Sequence, residues 1–260
     1  HTPNKAFDLA LRKYITKINN NDLTTLGLAS RIPKISEAAL KTGTTAEYQH
    51  RKDPIKVEEG DIVTYQITVY NEGDKDGYAN QIIDQLPTGL IYNPSSTVTS
   101  KDSKGADKNT YTVTYEASTN RVTFDIVNTE ENPAKDLKAY AAGNLDSETI
   151  EIKCKVVYKA VVGNKNILTN VAWINEAYNT TDKKSVIKAG EDRDSEPGTK
   201  PNVNKDNMEN YKGDTSNKDD LADSTYYYKG EQDDDDFEKI YVKTFDLSLS
   251  LIHIWRCRRR

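Results

Sequence analysis

Lys13 stands at a position where a strand core has no ordinary use for a charge. Phe7, Leu9 and Leu11 recur at every second residue, the next position of that face is Lys13, and Ile15 continues it. An unpaired ammonium in a core costs several kcal/mol, and desolvation drives its pKa down until the neutral amine becomes accessible. A neutral amine is a nucleophile. Far along the chain, Asn170 shares the apolar face of Leu168 and Ala172, so its carboxamide carbon can meet such an amine across a sandwich. Two quieter readings stay open beside this one. Lys13 can snorkel out at a strand end or pair with an acid as a buried ion pair, and Asn170 can hydrogen-bond backbone at a corner.

Other chemistry is thinly represented. The histidines are His1, His50 and His253 and the cysteines are Cys154 and Cys257, which argues against zinc hydrolysis and Cys/His nucleophiles. Cys154 lies on the apolar face of Ile150, Ile152 and Val156 and reads as a small buried hydrophobe with an inert thiol. No phosphate-cradling glycine loop and no Gly-x-Ser-x-Gly elbow occurs, so the chain is not expected to be an enzyme. The acidic run from Asp192 fails the EF-hand spacing, because the twelfth residue counted from Asp192 is Val203 instead of Glu. No cofactor is expected; a looser calcium site at Asp192, Asp194 or Asp233 to Asp236 is the alternative to a solvated, self-repelling linker. Leu86-Pro87-Thr88-Gly89 looks like a sortase signal but lacks its intervening residue and is followed by no hydrophobic tail, so it reads as a turn. With 36 basic and 41 acidic residues, net charge −5, nucleic acid is an unsuitable partner. The longest apolar run is far too short to cross a bilayer.

The elements that must position Lys13 and Asn170 are strands. Val63, Tyr65, Ile67 and Val69 alternate with polar neighbours, as do Val122, Phe124 and Ile126, and then Ile150 to Tyr158 and Leu168 to Ile174. Only Glu37 to Lys41 resembles a helical turn. Many such strands separated by Asn, Gly, Asp and Pro clusters predict an all-β, antiparallel sandwich. Lys5 to Leu11 and Lys243 to Leu249 carry nearly the same phrase, which suggests tandem domains. The expected organisation is the end of a preceding linker over 1–6, a sandwich domain over 7–190, and an acidic, loop-rich connector over 191–240, with Tyr226-Tyr227-Tyr228 as an edge strand. A next repeat would start over 241–248. Residues 249–260 read as a translated sequencing adapter. The chain opens at His1 without an initiator Met and reads as an interior piece.

Four separated motifs carry a family likeness: Gly60 to Val69, then Asn71-Glu72-Gly73, then Ile83 to Leu90, and finally Thr169-Asn170-Val171-Ala172. Together, over Phe7 to about Ala177, they resemble the Ig-like repeats of bacterial surface proteins, namely the DUF11-type repeat and the fimbrial isopeptide-forming D2 domain of Gram-positive pilins and adhesins. The segment Lys17 to Lys56 is longer than the usual entry to such domains. For isopeptide-forming members the resemblance implies a self-catalysed bond between a first-strand Lys and a last-strand Asn, here Lys13 and Asn170. A protonated carboxyl must polarise the carbonyl and move a proton to the departing ammonia. Asp84 matches the family's acid by motif position, and an apolar setting would raise its pKa; capping the turn at Leu86 to Gly89 is its other reading. The implied role is a stalk or spacer repeat at the extracellular cell surface or cell wall, with neighbouring repeats of the same chain as partners and host or surface ligands bound through other domains. The alternative is a calcium-dependent or carbohydrate-binding module using the acidic loops or exposed aromatics such as Trp173.

Overall fold

The computed structural model describes residues 6–42, 45–182, 185–187, 191–193, 195, 197–198, 201–213, 220–227 and 233–244. Strands dominate them. In chain order these are β1 (Leu9–Ile18), β2 (Asn21–Asp22), β3 (Lys34–Ser36), β4 (Glu47–Gln49), β5 (Ile55–Val57), β6 (Ile62–Asn71), β7 (Gly77–Gln85) and β8 (Leu90–Tyr92). They continue with β9 (Thr97–Asp102), β10 (Asp107–Glu116), β11 (Arg121–Ile126), β12 (Ser147–Val156), β13 (Ile167–Asn179), β14 (Ser185–Val186) and β15 (Asp235–Val242). Among the described residues the helical content is one 3-10 turn at Leu40–Thr42, beside the turn expected at Glu37 to Lys41.

Thirteen strands form one curled sheet in the order β2-β1-β6-β12-β9-β10-β11-β7-β13-β15-β5, with β8 and β14 attached to β12 and β13. Every pairing is antiparallel except β15 with β5. The curl makes the all-β sandwich that the period-two pattern predicts. One wall is β1, β6 and β12; the facing wall is β7, β13 and β15; β9, β10 and β11 wrap the side. Leu9, Leu11, Ile15, Val63, Ile67, Ile150 and Ile152 from the first wall share one core with Ile82, Leu168, Ala172, Ile174 and Ile240 from the second. The curl nearly closes, since Leu11 N–H donates to the Asp233 carbonyl beside β15 at 2.8 Å.

The C-terminal third departs from the expected connector. β15 crosses the boundary placed at 240/241 and is an interior strand, between β13 and β5. A run of acids can enter a sheet because cations meet it there: Lys52 lies 2.8 Å from Asp236, and Arg12 donates to the Asp233 carbonyl at 2.8 Å. Residues 201–213 and 220–227 are a covering layer, in which Val203, Met208 and Tyr226 pack with Ile83, Val171, Trp173 and Phe237 on the outer face of β7, β13 and β15. Trp173 is therefore fully buried and not an exposed ligand-contacting aromatic. Tyr226 is buried in this layer outside any strand, and Tyr228, Asp194 and everything from Phe245 onward, with the repeated phrase and residues 249–260, lie outside the described residues. The long Lys17 to Lys56 segment forms the β3–β4 hairpin and β5, and it carries Arg31, His50 and Lys52 into buried positions.

Candidate crosslink site

β1 runs antiparallel to β6 with Ile15 opposite Tyr65 and Lys13 opposite Ile67, so Lys13 points where the apolar face of β1 points. It does not snorkel. Its side chain is 0% exposed, and Nζ donates to Asp84 Oδ2 at 2.7 Å. Nζ also sits 4.6 Å from the centroid of the Tyr65 ring, within the range of a cation–π attraction.

Asp84 comes from the facing wall. β7 is a central strand, paired with β11 through Val122 and with β13 through Ala172 at this position. Ile82 and Leu86, two residues to either side, are buried in the core, so Asp84 occupies an apolar slot rather than capping the following turn. Burial pushes its carboxyl pKa up, and the neighbouring Lys13 and Asn170 oppose that rise.

Asn170 lies in β13 between Leu168 and Ala172, opposite Glu238 of β15, and is fully buried. Neither Oδ1 nor Nδ2 makes a hydrogen bond of normal geometry, which separates it from an asparagine satisfied by backbone. It nevertheless lies near enough to Asp84 and Tyr65 to lower the pKa of each. Lys13, Asp84 and Asn170, expected from three separate stretches of sequence, thus are all buried in one interior. Amine and carboxylate are in direct contact, and the Asn170 carboxamide lies near enough to act on the carboxyl.

Two buried features of this region were not legible as site residues. Lys52 Nζ donates to the Lys13 carbonyl at 2.8 Å, to Asp236 Oδ2 at 2.8 Å and to the Phe237 carbonyl at 2.7 Å, which satisfies all three ammonium protons. It fastens β15 to the backbone of Lys13, and Asp236 Oδ2 takes the Lys13 N–H as well, at 2.7 Å. Glu238, 3.4 Å from Lys52 and 3.6 Å from Arg31, has its pKa raised by burial, whereas burial and the Lys52 charge hold His50 well below the usual histidine range. Lys52 sits in a polar run with no apolar periodicity to mark it. Tyr65 is the other; its place on the inward face of Val63, Ile67 and Val69 was the available signal, but it read as core packing.

Among the described residues, those of the alternative calcium site are not gathered on an open loop. Asp192 is buried, takes a hydrogen bond from Ser195 Oγ at 3.1 Å and bridges to Phe7. Asp233, Asp235 and Asp236 are likewise buried, Asp236 against Lys52 and Asp235 against the Tyr211 hydroxyl. Asp8, Glu72 and Asp233 bring carboxylate oxygens within 4.8 Å of one another. Arg193 lies 3.3 Å from Asp8, the Tyr48 hydroxyl donates to Glu72, and Asp233 and Glu72 act on the charge of buried Arg12. The Cys154 thiol is free and buried, with its pKa pushed up.

No protein-family profile matches the chain, and no curated protein does. Solved structures do. The chain is similar to BcpA, the major pilin subunit of Bacillus cereus, at 14% identity and TM-score 0.36 over 69% of this chain and 37% of that one. It is similar to the pilus backbone RrgB from Streptococcus pneumoniae at 14% identity and TM-score 0.37 over 67% and 32%. A collagen-binding domain from a Staphylococcus aureus adhesin matches at 14% identity and TM-score 0.26 over 48% of this chain and 81% of that one. The chain spans about a third of the length of the two pilins.

Proposed function

We propose that this chain is a load-bearing spacer domain of a bacterial cell-surface protein of the adhesin or pilin-like kind, toughened by an amide bond between Lys13 and Asn170. The observation that carries the reading is the buried contact at 2.7 Å between Lys13 Nζ and Asp84 Oδ2, with the fully buried Asn170 carboxamide close enough to act on the same carboxyl. A buried ion pair is weak evidence of a stabilising device, since well-packed apolar residues of similar volume often do as well or better. A reaction gives the three groups a use.

The steps balance within these side chains. Lys13 passes a proton to Asp84, whose raised pKa favours the acid form. The amine lone pair attacks Cγ of Asn170, forming the Nζ–Cγ bond and an oxyanion at Oδ1. Asp84 gives its proton to Nδ2, the Cγ–Nδ2 bond breaks, and ammonia leaves. Asp84 then takes the surplus proton from Nζ and ends protonated. One amide is exchanged for another without an external co-reactant.

The bond would join β1 to β13, the two facing walls, and a sandwich tied in this way carries tension without a disulfide. The repeated phrase at Lys5 and Lys243 supports a tandem array, in which neighbouring repeats are this domain's partners and surface ligands are bound elsewhere. Proteolysis followed by tandem mass spectrometry tests the reading. A branched peptide joining the Lys13 and Asn170 fragments is expected; two linear peptides, each at its full sequence mass, would remove it.

A further inference from the structure

We infer that the end of this domain where the chain leaves β15 is a docking surface for a second copy of the domain, which follows without a linker and seats against the Val161-Val162 turn. The inference rests on the tandem-array part of the reading above and not on the crosslink.

The junction can be located to one peptide bond. At the entry end the fold already grips Ala6: Asp74 N–H donates to the Ala6 carbonyl at 2.8 Å, Glu72 and Gly73 N–H donate to the Asp8 carbonyl at 3.1 and 3.2 Å, and Arg193 N–H donates to the Phe7 carbonyl at 3.0 Å. Gly73 permits this grip, because a Cβ there would lie 2.6 Å from Asp8 N. At the exit end the fold still grips Lys243, whose N–H donates to the Val57 carbonyl at 2.9 Å and whose Nζ lies 2.6 Å from Glu58. The repeated phrase sets Lys5 against Lys243, Ala6 against Thr244, and Phe7-Asp8 against Phe245-Asp246. One domain thus holds residue 243, and the next, gripping its first strand in the same way, holds residue 244. Domains joined by an exposed flexible linker move relative to each other by default; here no residue is left to act as one.

Two bodies joined in this way meet within one Cα–Cα step, about 3.8 Å, and the exit end carries a surface for the contact. Val242 N–H donates to the Asn166 carbonyl at 2.9 Å, so the β12–β13 connection stands directly beside the exit. In that connection Val157, Val161 and Val162 are 40, 51 and 85% exposed. The turn is closed by Asn164 N–H to the Val161 carbonyl at 3.1 Å, with Gly163 at φ 87°. Asn166 fixes it, its Oδ1 accepting from Val161 N–H and its Nδ2 donating to the Val161 carbonyl, both at 3.0 Å. Turn tips ordinarily carry Asn, Asp, Ser or Gly; a fixed tip that shows two valines to water marks a contact site. The matching face is the entry end, where Tyr140 N–H donates to the Gly73 carbonyl at 2.8 Å and Ala139, Tyr140 and Ala141 lie half-buried or exposed beside the gripped strand.

The test is a chain in which residues 1–244 are followed directly by residues 7–260, measured by small-angle X-ray scattering beside two variants. One carries Val161→Ser and Val162→Ser in the first copy; the other has about ten Gly/Ser residues inserted after Lys243, which behave as a flexible coil. The native junction should give a pair-distance distribution with a separate inter-domain peak, and both variants should lose it. A peak retained by the serine variant would overturn the role of the turn. A native junction as smeared as the inserted one would overturn the docking while the tandem array stands. A parent gene that continues past Leu249 without a second β1 would remove the tandem reading and this inference together. Both valines are exposed, so the single-copy serine variant should melt with wild type; a clear drop would mark the turn as structural within its own domain and overturn the inference.

Discussion

Asn170→Ala removes the carboxamide while leaving the Lys13–Asp84 pair intact, and its mechanical effect can be worked from the positions of the two residues. With the amide bond in place, force applied to the chain ends cannot extend the segment between positions 13 and 170, which is 170 less 13, or 157 residues. At about 3.4 Å per extended residue, ~530 Å of contour is withheld from the wild type and released in the variant. Residues after Asn170, including the covering layer and β15, lie outside the closed loop and extend in both proteins. Single-molecule force spectroscopy, with the domain held at both ends between marker domains of known length, reads the difference directly. The increment per unfolding event should be about 500 Å longer for Asn170→Ala than for wild type. Equal increments would rule out the Lys13–Asn170 bond, because no arrangement of non-covalent contacts withholds that length once the fold has ruptured.

The same variant should lose thermal stability. Closing a loop of this length is worth about 5 kcal/mol by the chain-entropy relation for crosslinks, or about 10–20 °C in melting temperature for a chain of this size; calorimetry showing a shift of only a degree or two would contradict it. Asp84→Ala removes the acid and also leaves the Lys13 ammonium buried without its counter-ion, a further cost of about 3–5 kcal/mol, so it should melt below Asn170→Ala, and the reverse order would count against the pairing. Lys239, held by Thr169 Oγ1 at 2.7 Å and the Glu209 carbonyl at 2.9 Å, has its pKa pushed down by burial to about 8 from 10.5. Between those values the unfolded chain holds a proton the fold has released, so stability rises with pH from about 8, by up to about 3 kcal/mol, until tyrosines of the unfolded chain ionise near 10. Buried Lys52 adds to this rise and the buried Cys154 thiol, ionising in the unfolded chain, opposes it, so denaturant titrations at about pH 7.5 and 9.5 should show a larger gain in wild type than in Lys239→Met, and an equal response in both would contradict it.

The strand core was legible because period two is a strong signal when one face is apolar. Lys13 and Asn170 were each visible as a polar residue set into such a face, Asp84 only by its motif position in the family likeness, and the structure buries all three. β15 was not legible, since Asp233 to Asp236 read as a solvated linker unless the cations opposing them are known. Those cations, Arg12 and Lys52, come from more than 180 residues away, and local periodicity carries no information about such partners. Trp173 illustrates the same limit. β13 has apolar residues on both faces, Val171 and Trp173 on one and Leu168 and Ala172 on the other, which signals a strand covered on both sides. The cover, residues 201–213 and 220–227, is too rich in polar and turn residues to announce itself.

The central claim is a covalent bond between Lys13 and Asn170, and intact-mass measurement of the purified chain tests it most directly. A wild-type mass one ammonia below the sequence mass is expected, with Lys13→Ala and Asn170→Ala each at the mass of its own sequence. A wild-type chain at its full sequence mass would contradict the account and leave Lys13–Asp84 as an ordinary buried ion pair.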